Sequence, residues 1–267
     1  MTLSEWIERR EMTGFPTFSY KDVTASFPAL SARVLSNELY RLKKLRRIQS
    51  VHRGFYTVVP IRFKDRGIVP PYNYVGQLMA YLGKPYYICL LSAGVLHGAA
   101  HQRPQRLSIM TVPPRISLGK NRNIQLAWGY RKTIPQEMLC RTNSDTGVIL
   151  YSCAELTAVD LVQFCHLAGG LSVVTTVMEE LVEKTDFGKY GDRLVKITTL
   201  PTLQRLGYLL DVVLNNQNQA ESIGLILQPY MKDLKYRPLA KSRHMGDTEK
   251  NARWKIIANQ KIEPDGW

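Results

Sequence analysis

Apolar positions recur at helical spacing through the first sixty residues, separated by short polar breaks. Thr2-Leu-Ser-Glu5 has capping-box spacing: a hydroxyl and, three residues on, a carboxylate satisfy each other's backbone amides. Leu3, Trp6, Ile7 and Arg10 follow on helical spacing, and Gly14 ends the segment. Ser19 with Asp22 predicts a second helix carrying Val23 and Phe27 on one face. Pro28 stops it, because a residue before proline is pushed out of the helical region. Ser31 then caps an unbroken run, SARVLSNELYRLKKLRRI. On a helical wheel Leu35, Leu39, Leu42 and Leu45 form the stripe that faces a core. Arg33, Ser36, Asn37, Tyr40, Lys44 and Arg47 fall on the opposite side, Arg41 and Lys43 at the borders, and Glu38 near the apolar side. Ile48, Val51, Phe55, Tyr56, Val58 and Val59 are strand formers around a basic turn, His52-Arg53-Gly54, which predicts a hairpin.

Helix, helix, basic helix and basic hairpin is the order of a winged helix-turn-helix, expected here over residues 1–66. In that fold the second helix of the pair enters the major groove and the wing touches the flanking backbone. Arginine forks onto guanine, asparagine onto adenine, and lysine and arginine neutralise phosphate. The expected DNA contacts are therefore Arg33, Ser36, Asn37, Tyr40, Arg41, Lys44, Arg47, His52 and Arg53.

A linker near Lys64 to Pro71, with Gly67 and the Pro70-Pro71 pair, separates this module from residues 67–267. Helices are predicted over Tyr72 to Leu82, Ser92 to Ala100, Leu171 to Glu183 and Thr202 to Leu214. A further helix starts at a second capping box, Ser152-Cys-Ala-Glu155. Strands are predicted over Leu107 to Val112, Ile124 to Trp128, Val148 to Tyr151 and around Trp254 to Ile257. The expected class is α+β, a winged helix followed by a larger mixed α/β domain.

Charge sharpens this picture. The 267 residues carry 36 Lys+Arg against 22 Asp+Glu, a formal net charge of +14, which favours a polyanionic partner. Residues 1–66 hold 13 basic and 6 acidic side chains. A second run contains Arg103, Arg106, Arg115, Lys120, Arg122, Arg131, Lys132 and Arg141 with one acid, Glu137, and forms a possible secondary basic surface. No apolar stretch reaches the roughly 20 residues of a spanning helix, and no apolar leader follows a basic start. A cytoplasmic protein without a membrane partner is expected. Cys89, Cys140, Cys153 and Cys165 have neither the spacing of a zinc site nor the density of a disulfide scaffold.

Catalytic signatures are missing. His97 and His101 share a helical face, but HGAAH lacks the zincin glutamate and a third ligand, so a structural role suits them better. Ser92, Ser108 and Ser117 lie outside any nucleophile elbow, and no phosphate-cradling glycine loop occurs. Glu183-Lys184 fits a solvated helix end better than a nuclease strand. No enzyme, catalytic residue, cofactor or metal is expected.

Several strings taken together carry a resemblance. GFYTVVP (Gly54 to Pro60), LLSAGVLHGAAHQRPQ (Leu90 to Gln105), YSCAELTAVDLV (Tyr151 to Val162), GGL (Gly169 to Leu171), QRLGYLLD (Gln204 to Asp211) and RWKIIANQKIEPD (Arg253 to Asp265) occur in that order. The chain resembles the AbiEi-type antitoxins of type IV toxin–antitoxin systems. The resemblance implies a winged helix that represses the operon's own promoter at inverted repeats, and a C-terminal domain that counteracts a nucleotidyltransferase toxin without a stable complex. It implies a bacterial phage-defence context as well. The nucleotidyltransferase signature itself is missing, which suits the antitoxin rather than the toxin. An alternative keeps the DNA module and makes the second domain a ligand sensor or an RNA-binding surface.

Overall fold

A computed structural model of the protein describes residues 1–100, 104–117, 125–240 and 248–262. Backbone contacts divide the chain into two compact units. The first comprises Met1–Tyr87, Gln105–Ile134 and Arg141–Leu150, and the second Ile88–Pro104, Pro135–Cys140 and Tyr151–Trp267.

The first unit begins with α1 (Leu3–Met12), β1 (Thr17–Ser19), α2 (Tyr20–Ser26), α3 (Ala32–Lys44), β2 (Ile48–His52) and β3 (Phe55–Val58). Each helix starts where a side-chain cap is available. Thr2 with Glu5, and Ser19 with Asp22, close full capping boxes, and the Ser31 hydroxyl accepts the Val34 amide. Strand β1 is an addition to the sequence-based expectation. Three residues at the foot of α2 carry too short a pattern to signal a strand, yet they pair antiparallel with β3, placing Phe18 opposite Tyr56. The sheet order is β1-β3-β2. Leu35, Leu39 and Leu42 pack with Leu3, Trp6, Ile7, Phe18, Val23, Ile48 and Val58 in one core. The Trp6 and Phe18 rings meet edge to face at 5.4 Å. Burying each leucine is worth about 2 kcal/mol, which locks the rotation of α3 and so decides which of its residues face outward.

Leu45 departs from the expected stripe. The helix ends at Lys44, Leu45 is its C-cap and Arg46 turns the chain at φ 53°, so the wheel no longer applies and Leu45 is 53% exposed. The hairpin forms as expected. His52 pairs with Phe55 across the Arg53-Gly54 turn, with a register shift between Ser50 and His52. Gly54 stands at φ +72°, and a Cβ there would lie 2.9 Å from the Tyr81 hydroxyl, so glycine is required.

Downstream, the predicted helix over Tyr72 to Leu82 is interrupted at Tyr74. A single tight turn, Pro71–Asn73, precedes α4 (Val75–Tyr81). A second sheet contains β4 (Tyr86–Ile88), β5 (Leu107–Thr111), β6 (Leu126–Tyr130), β7 (Leu139–Ser144) and β8 (Gly147–Ser152) in the order β6-β5-β4-β8-β7. Strands β5 and β6 run parallel. Ile124, expected to open β6, lies outside the described residues.

The second unit holds α5 (Leu90–Leu96), α6 (Ala154–Gln163), α7 (Leu171–Leu181), α8 (Arg193–Ile197), α9 (Leu200–Tyr208) and α10 (Gln217–Leu227). Helix α5 starts two residues before the predicted Ser92. The expected capping box at Ser152 is corrected: Cys153 is the N-cap and its sulfur accepts the Leu156 amide. The Ser152 hydroxyl instead bonds Thr157, and Glu155 accepts the Asp186 amide at 2.9 Å. Three two-residue strands, β9 (Arg237–Pro238), β10 (Lys250–Asn251) and β11 (Ile256–Ile257), form a third sheet in the order β10-β11-β9.

The string QRLGYLLD explains itself in this unit. The Gln204 amide donates to the carbonyls of Lys235, Trp254 and Lys255, and Arg205 donates to those of Pro201, Pro238 and Leu239. Gly207 leaves room for the Trp254 ring, which a Cβ would meet at 2.0 Å. Asp211 accepts the Trp254 indole N–H at 2.7 Å. The last turns of the predicted Thr202 to Leu214 helix widen to i→i+5 bonding over Leu209–Val213.

Candidate nucleic-acid interface

The outward face of α3 is built by its inward one. With Leu35, Leu39 and Leu42 at 1%, 4% and 2% exposure, the intervening Arg33, Ser36, Asn37, Tyr40, Arg41, Lys43 and Lys44 are exposed. Arg33, Ser36, Asn37 and Lys43 make no side-chain hydrogen bond or ion pair among the described residues, so their donors and acceptors are free for a partner. Lys44 stacks its ammonium 5.0 Å from the Tyr40 ring centre. Arg41 is held by Glu38, three residues before it, at 2.8 Å. A surface pair of this kind is worth at most about 1 kcal/mol, so a phosphate can displace it.

Two of the expected residues are less free. Arg47 lies beyond the helix end, is half-buried, and pairs with Glu8 at 2.6 Å. His52 is half-buried at the hairpin turn, its Nδ1 3.2 Å from the Arg53 carbonyl. Arg53 itself is exposed at the tip, while its carbonyl accepts the Tyr81 hydroxyl at 3.1 Å. One residue was missed. Val34 stands 45% exposed beside Arg33 and Asn37, an apolar group among polar ones, suited to a thymine methyl. Its signal in the sequence is a β-branched residue off the leucine stripe.

The secondary basic surface is less uniform than the charge run implies. Arg106, Arg115, Lys132 and Arg141 are exposed, and the Arg115 guanidinium lies 6.0 Å from the Tyr130 ring centre. Arg131 is half-buried and donates to the Tyr87 hydroxyl at 2.6 Å, so it serves the fold. Arg103, Lys120 and Arg122 lie outside the described residues, as does His101.

His97, Lys184 and Cys153 are engaged within the fold. His97 Nε2 lies 2.8 Å from the Ser152 carbonyl, and Lys184 donates to the His97 carbonyl. Burial lowers the His97 pKa, and the Ser152 bond opposes that shift. Burial pushes the Cys153 thiol up to about 12, which keeps it protonated and unreactive. Among the described residues, no three His, Cys, Asp or Glu side chains cluster as metal ligands. No helix among them is long and apolar enough to cross a membrane.

Comparison with known proteins finds an antitoxin likeness over part of the chain. Residues 86–212 match the family model of the AbiEi antitoxin C-terminal domain. Over that stretch the chain is similar to an AbiEi-type antitoxin domain, and the resemblance drawn from its sequence strings is borne out there. No curated protein matches the chain. Among solved structures, the crystal structure of the RV2827C protein from Mycobacterium tuberculosis is similar with a TM-score of 0.70. The two share 15% identity over 95% of this chain and 90% of that one, a likeness of fold alone.

Proposed function

We propose that the protein is a type IV antitoxin that represses its own promoter through α3 and the β2–β3 hairpin and counteracts a nucleotidyltransferase toxin through the remainder of the chain. The observation that carries the DNA half is the exposed face of Arg33, Ser36 and Asn37, without partners among the described residues and backed by three buried leucines. The order α1-β1-α2-α3-β2-β3, with a three-stranded sheet, supports a winged helix over residues 1–66. In this reading the N-terminal half of α3 reads bases at an inverted repeat. Lys44, Arg41 and Arg53 neutralise phosphate, and Arg106 and Arg115 extend the footprint.

The antitoxin half is supported by the family match over residues 86–212. The toxin is held in check without a stable complex, and residues 67–267 are the part that does so. Co-expression with a nucleotidyltransferase toxin of type IV systems tests that half. Growth should be rescued by the intact protein and equally by an Arg33→Ala, Asn37→Ala variant that has lost the promoter. Loss of rescue in that variant would contradict a division of labour.

A further inference from the structure

The second unit contains a cavity of about 310 Å³ lined in part by Arg205, Cys165, His166, Gln260, Leu171 and Leu239. Its size falls at the lower end of small-molecule sites. Arg205 is only 7% exposed, yet no carboxylate lines the cavity and none is paired with it among the described residues. A buried cation is normally matched by an anion, because removing a charge from water costs several kcal/mol. The guanidinium meets part of this need through carbonyls. Nε donates to Pro238 and Leu239, both at 3.1 Å, Nη2 to Pro238 at 2.9 Å, and Nη1 to Pro201 at 3.3 Å. A guanidinium has five N–H groups, so Nη1 and Nη2 each keep one N–H without a partner among the described residues. Burial acts against the charged form, Cys165 favours it, and Arg237 opposes it.

The start of α7 adds donors to the same wall. Its N-cap is Gly170 at φ 102° and ψ 178°, a conformation reserved for glycine, and no side chain caps the helix. The first amides of this 11-residue helix therefore lack the oxygen that caps α1, α2 and α3. Gly170 and Leu171 both line the cavity. Positive helix end, buried guanidinium and imidazole thus meet at one apolar-walled space.

We propose that this cavity binds a small organic oxyanion, a phosphate or carboxylate head on a short apolar body, with Arg205 and the α7 amides holding the head and Leu171 and Leu239 the body. The inference stands apart from the DNA reading. Cys165 reports on occupancy because it lines the cavity, while the partly exposed Cys140 does not and serves as an internal reference. The test is the rate of N-ethylmaleimide addition at each cysteine in the intact protein, mapped by peptide mass. The probes are phenyl phosphate, benzoate and, as a neutral control, benzyl alcohol, at matched ionic strength. Slowing at Cys165 but not Cys140 by phenyl phosphate, benzoate or both is expected, and the stronger of the two names the head group. Arg205→Lys should abolish it. Because Arg205 also clamps carbonyls, the exposed His166→Glu is the second variant, and it should weaken protection by roughly five-fold, the scale of an exposed charge contact. No protection by either anion, equal protection by benzyl alcohol, or full protection retained in His166→Glu would overturn the proposal.

Discussion

Helices α3 and α6 both start at a side-chain cap and run for a similar length, but they spend their polar groups differently. Helix α3 buries three leucines and leaves Arg33, Lys43 and the Asn37 amide in solvent without a partner among the described residues. Helix α6 buries every residue from Ala154 to Val162, including Glu155, Thr157 and Asp160. Its polar atoms are consumed inside the unit: Thr157 bonds Ser152, and Glu155 takes the Asp186 amide. A polar side chain with a partner already in the fold stabilises that fold. One without a partner is available for binding. The contrast separates a polar face left open to solvent from one closed within the fold.

The largest effect should come from cutting into α6. Leu161→Ala, at a position with 0% exposure, is expected to cost about 3 kcal/mol through lost transfer energy and a cavity. Urea unfolding of that variant beside Arg33→Ala checks this, since the exposed arginine should change stability by less than about 0.5 kcal/mol. Equal losses would erase the distinction between the two helices. Next in size is the binding counterpart. Arg33→Ala or Asn37→Ala should lose about 1–3 kcal/mol of discrimination between promoter and scrambled duplex, whereas Lys44→Ala should weaken both alike. Competition gel shifts separate these cases. Smaller again, Glu155→Gln keeps an acceptor but removes its charge, and should lower stability by about 1 kcal/mol while leaving promoter affinity unchanged.

The smallest effect concerns pH. Burial holds the His97 pKa below its usual 6.5 in the folded protein, so the unfolded chain binds that proton more readily. Its contribution to stability is complete above 6.5 and declines as pH falls through 6.5 towards the folded value. The urea midpoint should therefore drop more between about pH 7.5 and 5.5 in the native protein than in His97→Gln. An identical drop in both would remove His97 as a contributor.

Much of the first unit was legible because caps, stripe and breakers agree there. Thr2, Ser19 and Ser31 each cap a helix, and Leu35, Leu39 and Leu42 are buried as their spacing requires. Leu45 misled because periodicity says nothing about where a helix stops, and β1 was too short to carry a pattern. In the second unit the Ser152-to-Glu155 spacing imitated a capping box. Tertiary demand overrode it, since Glu155 has the distant Asp186 amide to satisfy and Cys153 sits in the cap position. The Arg205 cavity left no mark in the sequence, because its lining residues come from positions scattered between Val162 and Gln260. The charge run from Arg103 to Arg141 overstated a surface, since charge counting does not reveal that Arg131 turns back to Tyr87.

In the proposed function the outward side of α3 lies on duplex DNA. Binding of the intact protein to a fluorescent duplex carrying its own promoter, measured across a series of salt concentrations, tests it most directly. With about six phosphates neutralised, log affinity should fall against log salt with a slope near −5, and Arg33→Ala with Asn37→Ala should erase the preference for promoter over scrambled sequence. Equal affinity for both sequences in the native protein, or no binding at low salt, would contradict the account.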